Sequence, residues 1–228
     1  MATVAEVRGL LASTTVPDDL IDDLLSSAAA TWLMGASAES VAMDLALCHP
    51  PLAQEEVRAR VETVSRPAHW QLNLVAHDRP GLLARTAGAL ALHGLSIEQA
   101  SATTWPDRGL AVQRVTVTSP TTDIVPDWDA FGPDLRAALG QGVRHEPRFV
   151  PVPPVKVTAA PDVGGRTAVT VAAADTIGLL WAIASWLADH DCNIELAAVE
   201  TTGSLARDTF VVVGTVDAAA LATALGGP

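Results

Sequence analysis

A fixed offset of 97 residues organises this chain. The segment 77–104, HDRPGLLARTAGALALHGLSIEQASATT, aligns with 174–201, ADTIGLLWAIASWLADHDCNIELAAVET. Asp78 falls on Asp175, Gly81 on Gly178, Leu82-Leu83 on Leu179-Leu180, and Ile97-Glu98 on Ile194-Glu195. A sequence that repeats over this length builds one supersecondary unit twice, which removes most single-domain architectures at once.

Each copy carries the same local signals. Leu72, Leu74 and Ala76 alternate with other residues as a strand does, and Ala168 to Val171 are strand-like more loosely. An Asp-x-x-Gly turn follows. Then Leu82, Leu83, Thr86, Ala87, Leu90 and Ala91 recur at helical spacing, as do Leu179, Leu180, Ile183 and Leu187. His93-Gly94 ends the first helix as a glycine C-cap. Hairpins are predicted over 95–104 and 110–118, around Trp105 to Gly109, and over 193–201 and 208–214, around Thr202 to Ser204. A second helix closes each copy near 128–140 and 217–226.

Strand, helix, strand, strand, helix lacks the fourth strand of a ferredoxin-like unit. No strand follows the last helix before Pro228, so the missing strand is sought upstream. Residues 57–64 (VRARVETV) map onto 154–161 (PVKVTAAP), and each precedes the first strand by a polar or glycine-rich turn. The expected fold class is therefore α+β, with two ferredoxin-like modules in a permuted ββαββα order behind a short N-terminal helical segment. A helix end over 54–64 is the open alternative. The expected domains are a helical segment 1–53, module 1 over 54–142, a linker 143–153 stiffened by proline, and module 2 over 154–228. In the N-terminal segment, 17–36 is expected to be helical, opening with Pro17 and the acidic residues after it, and Ser37 starts another helix that ends before His49-Pro50-Pro51.

Composition narrows the function classes. Hydrophobic residues make up 49% of the chain and tyrosine is missing, so cores rest on Ala, Val, Leu and Ile. Net charge is −12, which gives no electrostatic footprint for phosphate backbones; no nucleic acid partner is expected. Two lone cysteines, Cys48 and Cys192, fit a reducing compartment better than a disulfide framework, and the cytoplasm is the expected location. The first residues lack the pattern of a signal peptide, and no run of 18 apolar residues offers a membrane span.

The run Asp78-Arg79-Pro80-Gly81-Leu82-Leu83, followed by a helix and Gly-Leu-Ser-Ile, resembles the ACT domain in its DRPGLL form. The paired arrangement, the VPP linker and Arg207-Asp208-Thr209-Phe210 resemble the C-terminal regulatory half of bifunctional uridylyltransferase/uridylyl-removing enzymes that modify PII nitrogen-signalling proteins. The match covers about 55–226, with a weaker extension through Trp32 to Gly35 and Glu39 to Ala42. The resemblance implies a non-enzymatic regulator that binds a free amino acid, with glutamine the signal in that family; it does not imply catalysis, no cofactor is expected, and a homodimer is the expected assembly. An unidentified protein partner is the other class of partner considered.

An α-amino acid presents a carboxylate and an ammonium. A strand-to-helix turn can receive the carboxylate on unpaired N–H groups, here expected from Gly81 and Leu82, where the helix dipole favours negative charge. The candidate ligand-binding residues in copy one are His77, Asp78, Arg79, Pro80, Gly81 and Leu82, with Leu95, Ser96 and Ile97 at the start of the following strand. In copy two they are Asp175, Thr176, Ile177, Gly178 and Leu179, with Asn193 and Ile194. Asp78 is read either as a helix cap or as the acceptor of the ammonium. Arg79 reaches a ligand or is solvated. Asn193 is an amide handle or a turn residue. Thr176-Ile177 replace Arg79-Pro80, so a single site joining the first turn to Asn193 and two equal sites are both open.

Several other signals are discounted. His77-Asp78 spells the dipeptide of metal-dependent phosphohydrolases but ends a strand without further ligands, and Asp189 to Cys192 point in different directions on a helix end. No metal site is expected. Gly203-Ser204 with Asp208 looks like part of a nucleotidyltransferase set, but the second carboxylate is missing and the residues form a hairpin. Trp181 and Trp186 do not share a helix face, so one is expected at an interface. The rival to a ligand-binding regulator is a ligand-free scaffold for protein–protein interaction.

Overall fold

Short helices begin the chain. In α1 (Val4–Leu11) a capping box joins Thr3 to Glu6: the Glu6 N–H donates to the Thr3 hydroxyl, and the Thr3 N–H donates back to the Glu6 carboxylate at 2.9 Å. Asp18 and Asp19 lie in the first turn of α2 (Asp18–Ser27), where the dipole favours them. Ser37 caps α3 (Ala38–Leu47), as its sequence position predicts. The computed structural model describes residues 3–27, 36–105, 108–119, 125–140 and 146–227. The expected helix through Trp32 to Gly35, the Pro106-Asp107 turn and part of the linker lie outside them.

The remaining elements run β1 (Val57–Thr63), β2 (His69–His77), α4 (Leu82–Leu92), β3 (Ser96–Trp105), β4 (Leu110–Thr118) and α5 (Trp128–Leu139). They continue with β5 (Lys156–Pro161), β6 (Arg166–Ala174), α6 (Leu179–Asp189), β7 (Asn193–Thr202), β8 (Leu205–Val213) and α7 (Ala218–Ala224). The fold is α+β, with seven helices among the described residues and one eight-stranded sheet. Residues 57–63 are a strand, not a helix end. The strand order is β1-β2-β4-β3-β7-β8-β6-β5. It reads the same from either end once β1 to β4 are exchanged for β5 to β8, so the corresponding strands β3 and β7 meet in the middle.

Both hairpins depart from the predicted bounds for a physical reason. β8 begins at Leu205 rather than 208, because a two-residue Gly203-Ser204 turn, with Gly203 at φ +63°, lets pairing start at Thr202 opposite Leu205. β3 extends through Trp105, which the sequence placed in the turn, because its buried indole N–H donates to the Leu24 carbonyl at 3.1 Å. β5 starts two residues later than its predicted bound, at Lys156.

The chain divides into two compact units, each holding its own core. The first comprises Met1–Arg60, Asn73–Asp78 and Thr103–Gln113. Here Val7, Leu11, Ile21, Leu24, Val41 and Leu45 pack with Val75, Trp105, Leu110 and Val112. Asn73 and Asp44, both buried, form an amide-to-carboxylate hydrogen bond of 2.6 Å. Arg58 ties Glu56 at 2.7 Å and the Leu47 carbonyl at 3.0 Å.

The second unit comprises Val61–Leu72, Arg79–Ala102 and Arg114–Pro228. Val169, Val171, Ile183, Leu187, Phe210, Val212 and Leu221 are buried in it. The α4 helix meets α5 through an edge-on ring contact of His93 with Phe131, through His93 and Asp134 at 3.0 Å, and through Arg85, which donates to the Gly140 carbonyl at 2.8 Å. It meets α6 at Gly88: a Cβ there would sit 2.9 Å from the Trp181 ring, so the glycine makes room for the indole. Of the two tryptophans on α6, Trp181 therefore serves a helix–helix contact within the chain. Trp186 stacks on His190 with ring centroids 3.8 Å apart.

Candidate functional site

Two strand-to-helix turns are built alike. In the first, the Asp78 N–H donates to the Gly109 carbonyl at 2.8 Å, and the Leu82 N–H donates to the Arg79 carbonyl at 3.2 Å. In the second, the Asp175 N–H donates to Ser204 at 2.9 Å, and the Leu179 N–H to Thr176 at 3.0 Å. Gly81 and Gly178 are the N-cap residues, at φ +75° and +90°, a left-handed conformation glycine adopts without steric cost. Replacing Arg79-Pro80 by Thr176-Ile177 leaves these turn hydrogen bonds in place.

The geometry corrects two expectations. Asp78 does not cap α4: the cap is Gly81, with no side-chain hydrogen bond, and Asp78 sits three residues too early. The Leu82 N–H closes its own turn and is not offered to a ligand. The N–H groups of the first turn without a partner inside the helix follow and precede that residue.

The far ends of the two helices fix the following strands. Gly94 at φ +70° lets its N–H reach the Ala91 carbonyl at 3.0 Å and the Leu95 N–H reach Leu90 at 3.0 Å, a Schellman closure. In α6 the same closure uses Asp191 at φ +55°, with the Cys192 N–H on the Leu187 carbonyl at 2.9 Å. The first closure aims Leu95 inward, where it is buried.

A cleft forms where the second turn meets the start of β3. Asp175, Thr176, Gly178 and Leu179 line one side, Leu95 and Ile97 another, with Ala87 and Ala91 of α4, Leu180 and Trp181 of α6, and Val199, Ala206 and Asp208 of β7 and β8. The Ser96 hydroxyl lies 3.4 Å from the Asp175 carboxylate. Of the residues singled out from sequence, the cleft draws on Leu95, Ile97, Asp175, Thr176, Gly178 and Leu179, with Ser96 bonded to it. His77, Asp78, Arg79, Pro80, Gly81, Leu82, Ile177, Asn193 and Ile194 are not among its lining residues. His77 instead lies 3.3 Å from the Leu52 carbonyl.

Asp208 is the lining residue that sequence reasoning set aside. It is 1% exposed. Its strand neighbours in register are Val171 and Val199, so hydrocarbon flanks the carboxylate on both sides. Its Oδ1 has no hydrogen-bond partner, and neither does the buried Thr176 hydroxyl. Burial, and then the Asp175 charge, push its carboxyl up to about 7. The Asp175 carboxyl is also raised by burial, against the Ser96 and Thr201 hydroxyls, with Glu98 adding to the rise. The signal that could have found Asp208 is the inward alternation of Ala206, Asp208, Phe210 and Val212, visible once β8 starts at Leu205. The thiols are poor nucleophiles: burial pushes Cys48 up to about 12 and raises Cys192 as well. Among the described residues no helix is long and apolar enough to cross a membrane.

The ACT domain family matches residues 70–126. The chain is 30% identical over 173 residues to the bifunctional uridylyltransferase/uridylyl-removing enzyme of Cupriavidus metallidurans, covering 69% of this chain and 20% of that protein. It is 28% identical over 175 residues to the enzyme of the same name from Ralstonia nicotianae, with the same shares covered. The chain thus spans about a fifth of the length of these curated relatives. Among solved structures, aspartate kinase from Synechocystis is similar at a TM-score of 0.41 and 18% identity, covering 69% of this chain and 26% of that one. The ligand-free regulatory subunit of aspartate kinase from Thermus thermophilus is similar at 0.26 and 17%, covering 75% and 94%. Both scores lie below 0.5.

Proposed function

We propose that this ACT-domain chain is a non-enzymatic regulator that binds a free α-amino acid in the cleft between the second turn and the start of β3. The ACT domain is a regulatory, amino-acid-binding fold. The observation that carries the reading is that the cleft presents two carboxylates and unpartnered polar atoms inside a lining otherwise of Gly, Ala, Val, Leu, Ile and Trp. Buried polar groups left without partners cost stability, and a ligand that meets them recovers that cost. The ligand carboxylate is assigned to N–H groups of the first turn of α6. The Leu179 N–H is spent on Thr176, which leaves Gly178 and Leu180 as the donors at the positive end of the helix. Ile97 and Leu95 offer an apolar seat for the side chain.

Glutamine is the proposed effector, supported by the likeness to the uridylyltransferase/uridylyl-removing enzymes. The same reading takes the chain as two tandem ACT modules in permuted order, over 54–142 and 154–228, joined by 143–153 and preceded by 1–53. It places the protein in the cytoplasm as a homodimer. A second site at His77 to Leu82 with Asn193 and Ile194 is part of the proposal, by analogy between the two turns.

The test is thermal unfolding against each of the twenty amino acids. A ligand at 100 times its dissociation constant stabilises by roughly 2.7 kcal/mol, a readily measured rise in Tm. Stabilisation by glutamine above glutamate and asparagine is expected. No response to any amino acid at millimolar concentration would favour the ligand-free scaffold instead.

A further inference from the structure

We propose that Asp208 and Asp175 together form a receptor for the ligand's ammonium group, and that docking of this ammonium expels a proton from the pair. The inference rests on the amino-acid reading of the cleft and adds the residue that selects the head group. No basic side chain lines the cleft among the described residues; its charged lining residues are Asp175 and Asp208. Asp208 lines this cleft, and its buried Oδ1 has no hydrogen-bond partner, so it is available as an acceptor. Two neighbouring carboxyls in an apolar wall share protons, because burial and mutual repulsion both oppose double ionisation. An ammonium reverses both effects: it supplies the missing donor and compensates the second negative charge. The proton leaves to solvent as the charged hydrogen bond forms, and no covalent bond changes.

The surroundings contain no competing cation in direct register. Asp208 pairs with Val171 on β6 and Val199 on β7, and the lining residues of α6 are Leu179, Leu180 and Trp181. Glu98 of β3 acts on Asp175 and adds negative charge. It is held by Arg66 at 2.9 Å and lies 3.2 Å from His69. Arg207 pairs in register with Glu200, one position along from Asp208 and therefore on the opposite face of the sheet. The first module lacks the pair. Its hairpin register, Asp78 to Gly109 against Asp175 to Ser204, places Gln113 where β8 has Asp208. Gln113 is 2% exposed and its Oε1 also has no partner, but it carries no proton to release.

The experiment is calorimetry on the full chain at pH 6.5, with each of the twenty L-amino acids and the N-acetyl derivative of any that binds, in phosphate and in Tris. We expect L-glutamine to bind, up to one proton to be released on binding, and N-acetyl-L-glutamine to bind at least about tenfold more weakly, the loss of a charged hydrogen bond. Asp208→Asn, checked for an intact melting transition, is expected to abolish proton release and weaken binding by a similar factor. Binding that is matched by the N-acetyl derivative, or that releases no proton in the wild-type chain, overturns the ammonium receptor while leaving the amino-acid reading standing. Failure of every amino acid to bind overturns both. The N-acetyl comparison uses the unaltered protein, so a poorly folded variant does not decide the matter.

Discussion

The two strand-to-helix turns share a backbone and differ in what surrounds them. Both cap a helix with a left-handed glycine and close with matching hydrogen bonds. By position in the repeat and in its hairpin register, the first copy has Ala84 and Gln113 where the second has Trp181 and Asp208. The first pair carries no charge. The second combines a bulky indole that reaches Gly88 of the other helix with a buried carboxylate. A repeated backbone therefore does not make two identical surroundings: backbone hydrogen bonding sets the turn, and a few side chains set the chemistry beside it.

The carboxylate difference gives the largest expected effect. Asp208 has a folded-state pKa of about 7, above its ordinary value of 3.8. Its contribution to stability is therefore fully present below about pH 4 and is lost as pH rises through about 7, since the native state binds the extra proton. Fully expressed, that interval corresponds to on the order of 4 kcal/mol. Asp208→Asn should flatten the fall in Tm between pH 4 and 8, whereas Gln113→Glu should steepen it. Equal pH profiles for wild type and Asp208→Asn would show that the carboxylate titrates normally.

Next in size is the indole. Trp181→Ala should cost about 3 kcal/mol of stability in denaturant titrations, by removing the α4–α6 contact. Ala84→Gly at the corresponding place should cost about 1 kcal/mol, through helix propensity. Similar losses would mean that the two helices pack alike after all.

Gly178→Val and Gly81→Val should each cost about 1–3 kcal/mol, because a β-branched residue is strained in the left-handed region. Only the first should also reduce amino-acid affinity at the cleft, by at least about tenfold on the scale where 1.4 kcal/mol is a factor of ten. Loss of all binding in Gly81→Val alone would move the principal site to the first turn.

The smallest effect concerns the helix ends. Asp191 adopts φ +55° where the first helix has Gly94. Asp191→Gly should raise stability by about 0.5–1 kcal/mol by relieving that conformation, and Gly94→Asp should lower it by a similar amount. A null result in both directions would remove the helix ends from the comparison.

The α+β class and the strand-helix order were legible in the residues, because they rest on local rules. Alternation, helical spacing, Ser37 as a cap and His93-Gly94 as a stop each act within a few residues, and the observed elements follow them. The glycine turns were legible for the same reason. The use of those turns was not. Asp208 read as the first residue of a strand beside the hairpin turn until the pairing of Thr202 with Leu205 drew it three positions into β8, between Val171 and Val199. Trp105 read as a turn residue until the Leu24 carbonyl, 81 positions away, gave its indole a partner. The cleft at the second turn depends on which strands lie opposite it. Pairing and burial are long-range properties: they depend on which surfaces remain once every element has covered its apolar face, and no window of neighbouring residues contains that information.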